Sequence, residues 1–164
     1  MDLIKKELVL QRYATAEEMP EADQMLLMEA KQALRTAYAP YSKFFVGCSL
    51  LLGNGKIVRG SNQENIAFPS GLCAERVAIF HAGSEYPDMP ILAMAITVKA
   101  TDYLVDSPAM SCGACLQSIS EYETKQQQPI RTILQGETGD IYIAEQGTLA
   151  FLPFQFKMDV LRKR

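Results

Sequence analysis

Histidine occurs once in this chain, at His81, and tryptophan not at all. A zinc site built on its cysteines therefore has no evident fourth protein ligand, because the single histidine lies eight residues past Cys73 and reads as a surface helix residue. Cysteine is also scarce, with only Cys48, Cys73, Cys112 and Cys115. Four cysteines allow at most two disulfides. A Cys-x-x-Cys with a further cysteine at a distance is more often a metal or redox site in a reducing compartment. No apolar run approaches the roughly 20 residues of a membrane helix, and Met1–Arg12 lacks the apolar h-region of a signal peptide. The expectation is a cytoplasmic protein with no membrane partner. An excess of positive charge is missing as well. Sixteen Lys and Arg against 19 Asp and Glu give a net charge of -3, which repels a polyphosphate backbone. The expected partner is a small molecule and not nucleic acid.

What is present suffices for one core. The chain has 164 residues, 48% of them apolar, and no repeat, low-complexity tract or linker. A single domain over residues 1–164 is expected, with residues 1–20 as an N-terminal extension. Leu3–Arg12 alternates loosely and reads as an edge strand. Glu21–Ala37 has helical spacing, with Met25, Leu26, Met28, Ala33 and Leu34 apolar, and should end before Pro40. Phe45–Leu52 and Lys56–Gly60 read as a hairpin around Gly53-Asn54-Gly55. Asn62–Leu72 reads as loop, and Cys73–His81 as helix with Val77, Ile79 and Phe80 as burial candidates. Ile91–Val98 is a near-continuous apolar run, as for a strand covered on both faces. Cys112–Tyr122 reads as helix with Leu116 and Ile119 inward, and Ile130–Leu134 and Ile141–Ala144 as short strands. Alternating strands and helices give an α/β fold, expected as a three-layer α/β/α sandwich around a mixed sheet of about five strands.

The chemistry concentrates in Cys73-Ala74-Glu75-Arg76 and Cys112-Gly113-Ala114-Cys115. Both stand where a loop hands over to a helix, whose first N–H groups are unpaired and favour thiolate over thiol. Three thiolates can hold one Zn²⁺ per subunit and leave a fourth position to water. Glu75 is then placed to move protons for that water. Three thiolates and Zn²⁺ sum to a charge of -1, which opposes ionising the water, so a compensating cation is needed. Arg76 is the candidate. Cys48 lies in an apolar strand and reads as a small core residue. Upstream, Asn62 and Glu64 alternate and face one way in an extended stretch, where an amide and a carboxylate can hold a sugar diol. A polar loop capping its own turns fits the same residues. Phe44 can stack on a flat ring or belong to the core.

Taken together, Ala39-Pro40-Tyr41-Ser42-Lys43-Phe44, Asn62-Gln63-Glu64-Asn65, the two cysteine motifs and Leu152-Pro153 resemble the small, homotetrameric, zinc-dependent cytidine deaminase family. The likeness runs from about Ala22 to Phe156. It implies hydrolytic deamination of cytidine and 2′-deoxycytidine, releasing ammonia, in pyrimidine salvage. It implies Cys73, Cys112 and Cys115 as zinc ligands and Glu75 as the proton carrier. Asn62 and Glu64 would hold sugar hydroxyls, mainly the 3′-hydroxyl. Phe44 would pack on the pyrimidine, and Ala74 would offer backbone contacts to the base. Phe156 would enter a neighbouring subunit's site in a homotetramer, with a dimer as the alternative.

The chain departs from the family pattern at Phe45, Phe68, Ser111 and Leu116, where the family usually has Pro, Tyr, Pro and Arg. Ser111 gives up a fixed φ, and Met110 would supply the carbonyl near the departing amine. Three other readings compete. An aminohydrolase of another heterocyclic nucleoside, of the blasticidin type, is disfavoured by the Asn62 and Glu64 pair. A nucleic-acid base editor is disfavoured by the acidic balance and by a cysteine where that branch has histidine. A zinc-stabilised binding module leaves Glu75 without a purpose.

Overall fold

The computed structural model of the chain describes residues 1–157. Strands β1 (Gln11–Tyr13), β2 (Phe44–Leu52), β3 (Ile57–Ser61), β4 (Ile91–Ala100), β5 (Arg131–Gln135) and β6 (Ile141–Ala144) form one sheet in the order β1-β6-β5-β4-β2-β3. Among neighbouring strands of the described residues only β4 and β5 pair in parallel. A parallel pair needs a crossover, and the helix α3 (Gly113–Gln126) supplies it. The other helices are α1 (Glu21–Ala33) and α2 (Ala74–Glu85). Among the described residues no helix is long and apolar enough to cross a membrane.

Two separate cores show the three layers. On one face Leu26, Leu27 and Ala30 of α1 pack with Ala93, Ala95, Ile133, Ile141 and Ile143. On the other, Ala78, Ile79 and Ala82 of α2 and Ile119 of α3 pack with Leu50, Val58, Met94 and Ile96. The strand β4 feeds both cores with alternate residues, which is why its sequence reads as a continuous apolar run. The mixed sheet and the helical layers are as expected, with six strands in place of about five.

Several details differ from the reading of the sequence. The buried stripe of α1 is Leu26, Leu27, Ala30 and Ala33, while Met25 and Met28 are exposed. At about 100° per residue Leu27, Ala30 and Ala33 cluster with Leu26, and Met25 and Met28 fall on the opposite side. On α2, Ile79 is buried, Val77 is partly buried and Phe80 is exposed. The N-terminal edge strand shrinks to β1, and residues 1–10 carry no regular structure. Its partner β6 has only four residues and pairs with Gln11, Arg12 and Tyr13. Residues Ala16–Glu18 form a 3₁₀ turn, and Met19 enters the α1 core, so part of the N-terminal extension is built into the fold.

Small residues set how closely α2 approaches the sheet. A Cβ built on Gly60 of β3 would lie 2.5 Å from the Ala74 carbonyl oxygen and 2.5 Å from the Ala78 nitrogen. Both are backbone atoms and cannot swing aside. Gly60 therefore lets the first turns of α2, which follow Cys73, lie directly against β3. Gly60→Ala is expected to cost about 1–3 kcal/mol of stability and to lower the melting temperature by several degrees, as read by a circular-dichroism melt.

Candidate active site

The loop after β3 leads into α2, and the loop after β4 leads into α3, so both helices start at the same end of the sheet. Cys73 is the N-cap of α2 and Cys112 the N-cap of α3, each with extended backbone. Cys115 lies in the first turn of α3 and is fully buried. N-caps are usually Ser, Thr, Asp or Asn, whose side chains bond a first-turn N–H. Neither cysteine makes such a bond; their sulfurs turn to each other instead.

The three Sγ atoms lie within 4.8 Å of one another. Cys112 is 3.4 Å from Cys115 and 3.9 Å from Cys73. Four ligands at a zinc–sulfur distance of about 2.3 Å in a tetrahedron stand about 3.8 Å apart. The cluster therefore fits one Zn²⁺ per subunit with little movement. Cys112 is within hydrogen-bond reach of both other sulfurs. The Cys73 thiol is lowered to about 6, chiefly by a hydrogen bond from Cys115, with Arg76 and Cys112 adding to the effect. Cys115 is raised, first by that same bond and then by burial. Arg76 packs against the Cys73 and Cys115 sulfurs, and its Nε is buried without a hydrogen-bond partner. One terminal nitrogen reaches the Gly71 carbonyl at 3.5 Å. Arg76, the cation singled out by the charge count, thus stands beside two of the three sulfurs.

A pocket of about 850 Å³ opens over the cluster, within the usual range for a small-molecule site. Cys73, Cys112, Glu75, Arg76, Phe44, Asn62 and Glu64 all line it. Glu75 is only 4% exposed, and its charge is near enough to raise Cys48, Cys73 and Cys115. Asn62 is gripped on both sides. Its Oδ1 accepts the Val46 N–H at 2.8 Å, and its Nδ2 donates to the Phe44 carbonyl at 2.9 Å. Glu64 accepts the Tyr41 N–H at 2.9 Å and the Ser42 N–H at 3.2 Å through Oε2, and the Ser42 hydroxyl through Oε1. These bonds hold the Glu64 carboxyl below the usual carboxylate range, the Ser42 hydroxyl contributing most. Both residues therefore cap the 41–46 segment and border the pocket.

The model of the family described as "Cytidine and deoxycytidylate deaminase zinc-binding region" matches residues 20–128, about two thirds of the chain. The chain belongs to this family. The cytidine deaminase of Halalkalibacterium halodurans is 38% identical over 123 residues, 74% of this chain and 88% of that protein. That of Sporosarcina psychrophila is 37% identical over 73% of this chain and 84% of its own length. Among solved structures, the cytidine deaminase from Burkholderia pseudomallei superposes with a TM-score of 0.70 at 32% identity, covering 84% of this chain and all of that one.

Several candidates lie outside the deaminase pocket. Ala74 is fully buried and does not line it. Phe156 is 59% exposed, with its carbonyl held by Gln117 Nε2 at 2.9 Å, away from the pocket of its own chain. Cys48 is buried in the β2 core, where burial pushes its thiol up, and His81 is exposed on α2. Of the departures, Leu116 turns into the interior, while Phe68 stands at the pocket rim against Tyr41, edge to face at 6.1 Å. Met110 and Ala109 line the pocket next to Cys112. The apolar lining from Val46, Ile96 and Val98 escaped the sequence reading. The alternation of Phe44 with Val46, and of Ile96 with Val98, was the available signal. Cys112→Ala is expected to lose both bound zinc and thermal stability. A variant that keeps stoichiometric zinc by atomic absorption would remove Cys112 from the ligand set.

Proposed function

We propose that this chain hydrolyses cytidine and 2′-deoxycytidine to the uridine forms with release of ammonia. The observation that carries the reading is the buried Glu75 beside three converging sulfurs at the base of a nucleoside-sized pocket. The names of the relatives point the same way.

Zinc on Cys73, Cys112 and Cys115 would lower the pKa of a water to near neutrality and so supply a nucleophile. Glu75 receives a proton from the attacking water and delivers it to ring N3. It then takes the remaining proton of the hydroxyl added at C4 and passes it to the exocyclic amine, so that the C4–N bond breaks, ammonia departs and C4 keeps a carbonyl oxygen. Burial serves this role, because a carboxylate screened from bulk water exchanges protons with the substrate in preference to solvent. Arg76 offsets the surplus negative charge of three thiolates. Phe44 packs on the pyrimidine over the apolar wall of Val46, Ile96 and Val98. Asn62 and Glu64 meet the sugar, and the 3′-hydroxyl is the group both substrates share. The blasticidin-type and binding-module readings have no specific observation in their favour.

We also propose a homotetramer acting in cytoplasmic pyrimidine salvage, with Phe156 reaching a neighbour's pocket. The support is the set of exposed apolar side chains on the loops after β3 and β4, where Ile66, Phe68, Tyr103 and Leu104 are each more than 60% exposed and Phe68 lines the pocket. The exposed ring of Phe156 is further support.

Two measurements test these readings. Glu75→Gln is expected to keep zinc and to lose about 10²–10⁴-fold in kcat, followed by ultraviolet loss of cytidine. Near-normal turnover would sink the assignment. Sedimentation of the native chain is expected to show the active species as an oligomer, and a fully active monomer would remove Phe156 from the site.

A further inference from the structure

The turn that presents Phe44 is built around a residue the proposed reaction does not use. Lys43 has a left-handed backbone, φ 53°, a conformation a lysine holds only when its surroundings impose it. The Lys43 N–H donates to the Ala39 carbonyl and the Lys43 carbonyl accepts the Thr101 N–H, each at 3.1 Å, and the Ser42 hydroxyl closes the turn. It accepts the Phe44 N–H at 3.1 Å, spanning Lys43, and donates to Glu64 Oε1. On the far side of Phe44, its carbonyl is held by Asn62 Nδ2 at 2.9 Å. Both peptide groups flanking the Phe44 ring are thus tied, directly or through Ser42, to the two residues that face the sugar.

We propose that Ser42 is a positioning residue that couples the sugar subsite to the base-packing wall. This rests on the proposed nucleoside function. The Ser42 oxygen has one proton to give and gives it to Glu64, while a lone pair takes the Phe44 N–H. A sugar hydroxyl that draws on the same Glu64 carboxylate changes how firmly Ser42 holds Phe44. Sugar binding is thereby felt at the ring that carries the chemistry, and remote binding energy is used at the reacting base. The consequence is selectivity for the intact nucleoside over substrates that lack the 3′-hydroxyl.

The test is a thermodynamic cycle on the zinc-loaded protein. The wild type, Ser42→Ala and Ser42→Thr are assayed on 2′-deoxycytidine and on 2′,3′-dideoxycytidine, with zinc content and melting temperature measured for each. Ser42→Ala is expected to lose roughly 10- to 100-fold in kcat/KM on 2′-deoxycytidine, as for a lost bond to a charged group. On the dideoxy substrate the loss is expected to stay within about threefold, since coupled groups are not additive. Ser42→Thr keeps the hydroxyl and is expected to restore most of the difference. Equal losses on both substrates, no loss on either, or a Thr variant as impaired as Ala would overturn the coupling while leaving the deaminase reading intact. A zinc-loaded wild type inactive on every cytosine nucleoside would overturn both.

Discussion

Two helix N-termini meeting over one face of one sheet is the constraint on which the rest of the molecule depends. The sulfurs of Cys73, Cys112 and Cys115 sit at the first residues of α2 and α3. Cysteine has a short side chain, so backbone placement decides whether three of them can share an ion. That placement comes from packing. Ala78 and Ala82 of α2 and Ile119 of α3 join the same core, and Gly60 leaves α2 room to lie directly on β3. The parallel step from β4 through α3 to β5 puts the start of α3 at the carboxyl end of β4, where α/β folds commonly hold ligands.

Charge is arranged around the same point. Two N-caps are given to cysteine without a side-chain cap, so ordinary helix stabilisation is given up for metal-binding capacity. The buried Glu75 and the thiolates repel each other, and Arg76, lodged against two of the sulfurs, opposes that repulsion. With Leu116 turned into the core, Arg76 is a cation that stands beside the sulfurs.

Much of the fold was legible because two periods are strong in this chain. The apolar run of β4, the hairpin at Gly53-Asn54-Gly55 and the inward Leu116 and Ile119 all stand where the pattern put them. The α1 face was misjudged because methionine is apolar wherever it points; only contact with β2 and β4 selects Leu26, Leu27 and Ala30 over Met25 and Met28. The length of β1 was not legible either, since a strand extends only as far as its neighbour does, and β6 is four residues long.

The sequence by itself determined the chemistry: three thiols, one carboxylate and one guanidinium in motifs too specific to serve packing alone, and a family that those motifs identify. Such information is local, because residue type and short spacing set what a group can ligate or titrate. Only the tertiary structure decided that Asn62 and Glu64 grip the 41–46 segment while facing the pocket, that Val46, Ile96 and Val98 line it, and that Phe156 stands apart from it. These are relations between segments up to about a hundred residues apart. No spacing rule reaches that far, and the sheet order alone brings such segments together.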